Sequence, residues 1–200
     1  MNLKQTLSVQ PGAMALMLLM AATRFNHFGS AVSLPDASLA VFFLAGLWLG
    51  GRYLFLALLL EAGLIDYLAI SQLGVSDFCI SSAYGFLIPT YAAMWLGGKW
   101  CSRFAVLSVL NLLQQFAVLT VATSIAFLVT NGSFFLLSGV FPEGLWVQYV
   151  ESFSSYYPSY LCSTLEYGVV IFAVVSLVKS QLPAGNYNPQ YAYHPGSKKR

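Results

Sequence analysis

Six apolar stretches within 200 residues are the feature that most constrains the fold. A helix needs about 20 mainly apolar residues to cross a bilayer, because each residue advances its axis by about 1.5 Å. The stretches lie at about 12–30, 36–50, 53–70, 79–98, 104–130 and 158–179. The sequence therefore predicts an all-α polytopic membrane protein with six transmembrane helices, the second of them short and either tilted or partly re-entrant. A signal peptide is the alternative for the first stretch, although no small-residue cleavage site is evident there.

The composition argues against a soluble enzyme and against a nucleic-acid-binding domain. Charged residues make up 8% of the chain, whereas a soluble domain carries about 25%. Basic residues cluster only at 198–200, so no surface for nucleic acid is indicated. We predict one six-helix domain over residues 1–180 and a disordered, polar, cytoplasmic tail at 181–200.

Charge placement predicts the orientation of these spans. Six spans put the two termini, the 2–3 loop and the 4–5 loop on one side, which then holds Lys4, Arg52, Lys99, Arg103, Lys179, Lys198, Lys199 and Arg200. The opposite loops hold the acidic residues Asp36, Asp77, Glu143 and Glu151 and no Lys or Arg. Basic loops face the cytoplasm. We therefore expect a bacterial inner-membrane protein with cytoplasmic N- and C-termini.

Arg24 is the one basic residue inside a predicted span. A charge at that depth is costly and usually faces a partner or a wet cavity. Counting the rise per residue from the outer helix ends puts Arg24 near the depth of Glu166 or Glu61. An ion pair that holds helices together is the expected role, and a contact with substrate is the alternative.

Four polar residues are expected to meet in one pocket that opens outward. His27 follows Arg24 by about one turn, Asp66 ends the third span, Cys79 opens the fourth, and Tyr84 follows it. Helices of a bundle bring such ends together. Packing or interfacial roles are the alternatives for His27, Asp66 and Tyr84.

The three cysteines leave at least one thiol unpaired, and no zinc-binding spacing occurs. Cys101 and Cys162 are interpreted as buried apolar residues. Ser76 or Asp77 can cap the fourth helix and leave Cys79 in its first turn, where the helix dipole favours a thiolate. A thiolate is a strong ligand for a transition metal, although Asp77 opposes this ionisation.

The order of these residues carries a resemblance to a known family. Six short-looped helices resemble the S-components of energy-coupling-factor (ECF) vitamin transporters. More closely, the chain resembles the BtuM family of small bacterial cobalamin transporters in a series of segments over residues 26–84: Asn26-His27-Phe28-Gly29-Ser30, Leu34-Pro35-Asp36, Asp66, Cys79 and Tyr84.

The resemblance implies uptake of cobalamin or cobinamide through a pocket open to the periplasm. Cys79 would bind cobalt at the β-axial position and displace cyanide from cyanocobalamin, and reduction of the metal would follow. Whether one turnover or many follow depends on an external reductant. Asp66 and Tyr84 would bind the amide rim of the corrin, and His27 would be a pocket contact or an axial ligand. Whether this decyanation makes the protein an enzyme is left open.

A connection at about 131–157 can cover the corrin as a lid, with interfacial anchoring as the alternative for its aromatic residues Trp146, Tyr149, Phe153, Tyr156 and Tyr157. The Ala-x-x-x-Ala pattern that S-components use to contact their energy-coupling module is missing from the first span. The residue four positions after Ala13 is Met17, and the residue four positions after Ala15 is Leu19. This argues against dependence on that module. No nucleotide-binding motif occurs, and a periplasmic delivery protein is a candidate partner.

Three other functions remain open from the sequence. The chain can be an S-component for another vitamin, with Cys79 only packing. It can be an intramembrane enzyme with Cys79 as nucleophile and His27 as base. It can also be a structural or assembly subunit.

Overall fold

The helical segments follow the apolar stretches closely in the third span and less closely elsewhere. The computed structural model describes residues 11–24, 34–74, 81–104, 108–139 and 146–181. Within these ranges there is no strand, and six α-helices occur: α1 (Pro11–Arg24), α2 (Ser38–Trp48), α3 (Arg52–Leu73), α4 (Leu87–Cys101), α5 (Val109–Leu137) and α6 (Trp146–Gln181). Short 3₁₀ helices flank α4 at Ser82–Phe86 and Ser102–Phe104. The all-α class is confirmed for these described ranges.

Three of the helices have the length and composition of membrane spans. They are the segments Arg52–Gln72, Val109–Leu137 and Trp146–Val178. Their outer surfaces carry large apolar side chains, among them Leu60 (75% exposed) and Leu136 (71% exposed). So large an apolar surface is suited to lipid rather than water. The chain is a membrane protein by this criterion, whereas α1 and α2 are shorter apolar helices, and six crossings remain a prediction.

The short second span is a buried helix at the centre of the bundle. Every residue from Ser38 to Leu47 is buried, and α2 packs against α1, α3, α4 and α6. Its 11 residues cover about 16 Å, roughly half of the hydrocarbon thickness. The helix ends at Trp48, and Gly50 follows the C-cap residue Leu49 with a φ of 62°, in the left-handed region that favours glycine.

Two glycines allow α2 and α4 to cross with their backbones in contact. A Cβ atom added to Gly98 would overlap the carbonyl oxygen of Phe43 and lie 2.9 Å from the amide nitrogen of Leu47. A Cβ added to Gly46 would overlap the carbonyl oxygen of Trp95. Small residues at a helix crossing permit this approach in membrane proteins. Gly46 and Gly98 therefore set the spacing between these helices.

The predicted connection at 131–157 is wrong at both ends. Helix α5 continues to Leu137 and α6 begins at Trp146, so residues 146–157 are helical rather than part of a loop. Pro158 lies inside α6 instead of marking its start. Pro142 and Gly144, which suggested the interruption, fall outside the described residues, as does the predicted tail from 182 onward. Gln181, predicted as its first residue, is the last residue of α6.

Four of the five aromatic residues assigned to the lid have ring contacts with α5, whereas Tyr156 is exposed. Phe127 lies 5.1 Å from Phe153 and 5.2 Å from Tyr157 between ring centroids. About two turns further along α5, Phe135 lies 4.9 Å from Tyr149 between ring centroids. Residues spaced three or four apart share one helix face, and no helix-breaking residue separates Trp146 from Tyr157. This periodicity explains why the segment is helical.

Candidate functional site

The last residue of α1, Arg24, forms a bidentate ion pair with Asp66 of α3. Its Nε and Nη2 atoms donate to the two carboxylate oxygens at 2.7 Å each. The arginine side chain is 1% exposed and that of Asp66 is 16% exposed. Parallel hydrogen bonds of this kind fix the orientation of both groups and are stronger than neutral ones.

The third guanidinium nitrogen of Arg24 joins α2 and α4 to the same cluster. Nη1 donates to Ser38 Oγ at 2.8 Å and to the Tyr91 hydroxyl at 2.7 Å, and it lies 3.3 Å from Asp36 Oδ2. Asp36 Oδ1 in turn accepts from the backbone amide of Ser38 at 2.9 Å. The Tyr91 ring stacks on Phe42 at 4.2 Å. One buried cation thus connects four helices.

Tyr84 lies in the same cluster, where its hydroxyl donates to Asp66 Oδ2 at 2.7 Å. The residue belongs to the 3₁₀ helix before α4, and Ser81 caps that helix by accepting from the amide of Ala83 at 3.2 Å. Asp66 and Tyr84 are both half-buried. The two described residues of the predicted site are therefore in direct contact, at the end of the bundle where α1 ends and α2 begins.

The partners predicted for Arg24 were wrong, although an ion pair between helices was expected. Glu166 is exposed on α6. One oxygen of Glu61 is buried and has no hydrogen-bond partner among the described residues. Counting the rise per residue estimates depth along a helix but not the face from which a side chain projects. Arg24 instead binds Asp66 and Asp36.

His27 and Cys79 lie outside the described residues, in the segments 25–33 and 75–80. The proposed caps Ser76 and Asp77 also fall outside the described residues. The roles of these residues therefore stay predictions.

The other two cysteines differ from each other. Cys101 is buried at the end of α4, as predicted, and its burial raises the pKa of the thiol to about 11. Cys162 is exposed on α6, which corrects the prediction of a buried residue. The error arises because the outer face of a membrane helix is apolar too, so the apolar character of cysteine does not indicate burial there.

Sequence reasoning missed Ser38 and Tyr91 as members of the cluster. Asp36 was recognised as an acidic loop residue and as part of the resemblance but not as a partner of Arg24, although Asp-x-Ser at the start of an apolar helix is a typical capping pattern. Tyr91 follows Tyr84 by seven residues, about two helical turns, which places both on one side of a helix. These two spacings were the available signals.

An apolar cleft of about 350 Å³ lies between α4 and α5. It is lined by Trp100, Phe104, Gln114, Ala117 and Val118. Those residues belong to the C-terminal end of α4, the 3₁₀ helix that follows it and the first half of α5, whereas Tyr84 precedes α4. The cleft therefore contains none of the predicted site residues.

No protein-family model and no curated protein matches the chain. Its chemistry must be argued from the cluster itself. Asp66 accepts hydrogen bonds from Arg24 Nη2 and from the Tyr84 hydroxyl. The described residues contain no group of three His, Cys, Asp or Glu side chains able to hold a metal ion. The described cluster thus offers hydrogen-bond acceptors at a half-buried surface.

Proposed function

We propose that the protein binds cobalamin and takes it up across the bacterial inner membrane, with Cys79 as the ligand of cobalt. The observation that carries this proposal is the 2.7 Å contact between Tyr84 and Asp66. It brings two residues of the cobalamin-transporter resemblance together, as a shared pocket requires. Six membrane crossings, cytoplasmic termini and a periplasmic opening belong to the same proposal.

The position of the cluster supports this function. Arg24 joins the end of α1, the start of α2, the last third of α3 and the first turns of α4. The orientation inferred from charge puts these helix ends on the periplasmic side. His27 follows Arg24 by three residues, and Cys79 precedes Tyr84 by five. Both proposed cobalt ligands are therefore close in sequence to residues of the cluster.

The first step of the chemistry assigned to Cys79 is a ligand exchange without a change in oxidation state, and the later reduction of the metal needs an external reductant. The thiolate donates a sulfur lone pair to Co(III) of cyanocobalamin and a cobalt–sulfur bond forms. The bond from cobalt to cyanide breaks, and cyanide leaves with its electron pair and takes up a proton from water. A thiolate is a suitable donor for this exchange because it is a soft and strong ligand.

The test is the visible absorption spectrum of the purified protein mixed with cyanocobalamin. We expect a shift for the wild type and none for Cys79→Ser. Cys162→Ser is the matched control, since this cysteine is exposed on α6 and lies outside the cluster; it should behave as the wild type. The spectral shift must also be accompanied by release of cyanide.

Two results would contradict the proposal in different ways. Cobalamin that is retained with an unchanged spectrum by both wild type and Cys79→Ser would keep the transporter but remove Cys79 from the chemistry. Failure of the wild type to retain any corrinoid would refute the function. An S-component for another vitamin, an intramembrane enzyme with Cys79 and His27, or a structural subunit would then replace it.

A further inference from the structure

The apolar cleft between α4 and α5 has two cations beside it. Its aromatic residues Trp100 and Phe104 are four positions apart, and each directly follows a basic residue, Lys99 or Arg103. Residues four apart lie on one side of a helical segment, and the two aromatic rings are 5.2 Å apart between centroids. The basic residues have the same spacing, and both are exposed. A row of positive charge therefore runs beside the apolar wall of the cleft.

Contacts on two sides fix the width of this cleft. Gln115 is 1% exposed, and its Nε2 atom donates to the carbonyl oxygen of Phe104 at 3.1 Å. This bond joins the 3₁₀ helix after α4 to α5. Three residues before Trp100, a Cβ atom added to Gly97 would lie 3.1 Å from the Cβ of Ala122, so the two helices are in close contact there. The space between these two points is therefore a feature of the helix packing.

The segment that forms the cleft contains no counter-charge for these cations. No Asp or Glu occurs between residues 78 and 142, a stretch that includes the whole of α4 and α5. In the described ranges, the ion pairs are those of Arg24, so neither Lys99 nor Arg103 pairs with a carboxylate there. The preference of basic residues for cytoplasmic helix ends explains their side of the membrane, but it does not explain the cleft next to them.

We propose that this cleft binds one acyl chain of an anionic phospholipid, whose phosphate group contacts Lys99 and Arg103. Such a lipid carries the apolar part and the negative charge in one molecule. Basic pockets between transmembrane helices are known to bind anionic headgroups, and tryptophan, here Trp100 at 49% exposure, is enriched at the level of the headgroups. The inference goes beyond cobalamin uptake and does not depend on it, because no residue of the Arg24 cluster lines the cleft.

The experiment titrates the delipidated full-length protein, in a neutral detergent, with phosphatidylglycerol or with phosphatidylcholine that carries the same acyl chains. Mass spectrometry of the intact protein counts the bound lipids. One phosphatidylglycerol should bind about thirtyfold more tightly than phosphatidylcholine, because each of two basic residues near an anionic headgroup contributes about fivefold. Equal binding of the two lipids, or binding of many phosphatidylglycerol molecules with equal affinity, would overturn the proposal.

Charge variants test the contact with the headgroup. Lys99→Gln and Arg103→Gln should each lower the affinity for phosphatidylglycerol about fivefold and leave that for phosphatidylcholine unchanged. Arg52→Gln is the matched control, because Arg52 is an exposed cation on the same predicted side, at the start of α3, and its guanidinium group lies 4.9 Å from the centroid of the Tyr53 ring. An equal loss in Arg52→Gln would mean that general surface charge attracts the lipid, and it would overturn the site.

A variant of the cleft tests the contact with the acyl chain. Ala117→Phe fills the cleft and should remove the single tight site, whereas Ala173→Phe, at an exposed position on α6 outside the cleft, should retain it. Soluble glycerol phosphate in excess should not displace the lipid; displacement would overturn the role of the acyl chain. If Ala117→Phe fails to fold, the charge variants still decide the proposal. These measurements contain no cobalamin, so their outcome is separate from that of the transport proposal.

Discussion

Replacement of Gly98 by alanine tests the close crossing of α2 and α4. The added Cβ would overlap the carbonyl oxygen of Phe43 and lie 2.9 Å from the carbonyl carbon of the same residue. These obstructing atoms are backbone, so no side-chain rotation relieves the overlap and the two helices must separate. Because every residue of α2 from Ser38 to Leu47 is buried, a shift of this helix also disturbs its packing against α1, α3 and α6.

The expected magnitude combines two opposing contributions. Overpacking of a tight interior typically destabilises by 1–3 kcal/mol, and a backbone obstruction places Gly98→Ala near the upper end, at about 3 kcal/mol. Alanine is a better helix former than glycine by about 1 kcal/mol. The net loss in the free energy of unfolding is therefore about 2 kcal/mol, or roughly 4–8 °C in melting temperature for a chain of this size.

Gly63→Ala is the matched control within the same protein. No atom lies within 4 Å of a Cβ added to Gly63 in α3. Only the gain in helix propensity remains, so this variant should be more stable by about 1 kcal/mol, or roughly 2–4 °C. The two identical substitutions are expected to have opposite signs.

The assay measures the midpoint of thermal unfolding of each variant in one detergent. The signal is the fraction of the protein that stays monodisperse. Gly46→Ala should resemble Gly98→Ala, since its Cβ would meet the backbone of Trp95 and Lys99. The double variant should lose less than the sum, because one separation of the helices relieves both overlaps. A Gly98→Ala protein as stable as Gly63→Ala would refute the close crossing.

Three further predictions concern buried groups. Asp66→Asn leaves the buried Arg24 without its bidentate partner and should cost about 3–5 kcal/mol of unfolding free energy, measured by the same thermal assay; a loss below 1 kcal/mol would contradict the ion pair. Phe127→Ala removes a ring that contacts three aromatic residues of α6 and should cost about 3–5 kcal/mol, whereas a neutral effect would contradict that packing. Burial raises the pKa of the Cys101 thiol to about 11, so roughly one thousandth of this thiol is ionised at pH 8. Maleimide should therefore label Cys101 faster as the pH rises. Rapid labelling of Cys101 at pH 8 would contradict its burial.

The sequence predicted helix positions best where apolar character extends over a full membrane-spanning length. The third stretch, predicted at 53–70, corresponds to α3 at Arg52–Leu73. The segment from Trp146 to Tyr157 was misjudged because aromatic residues are common both at membrane interfaces and in helix packing. Its three- and four-residue spacing carried the helical signal, and composition alone concealed it.

The sequence also predicted only part of the candidate site. Asp66 and Tyr84 both lie near helix ends that the predicted topology places on the same side of the bundle. Their proximity therefore follows from the topology and the number of spans. Partner choice for Arg24 depends on how each helix is rotated about its own axis, and apolar helices without a polar face leave that rotation undefined in sequence. The contact of Gly46 with α4 was not predicted, because it depends on two segments that are far apart in the sequence.

The burial of α2 has a consequence for how the chain is made. A helix of 11 residues is too short to be retained in a bilayer on its own, and the surface against which it packs most closely belongs to α4, which is synthesised about 40 residues later. We expect translation to release α2 before its site exists, so that α2 enters the membrane only after α4 has been delivered. Assembly would then proceed out of sequence order, because α2, in the amino-terminal quarter of the protein, would insert after α4.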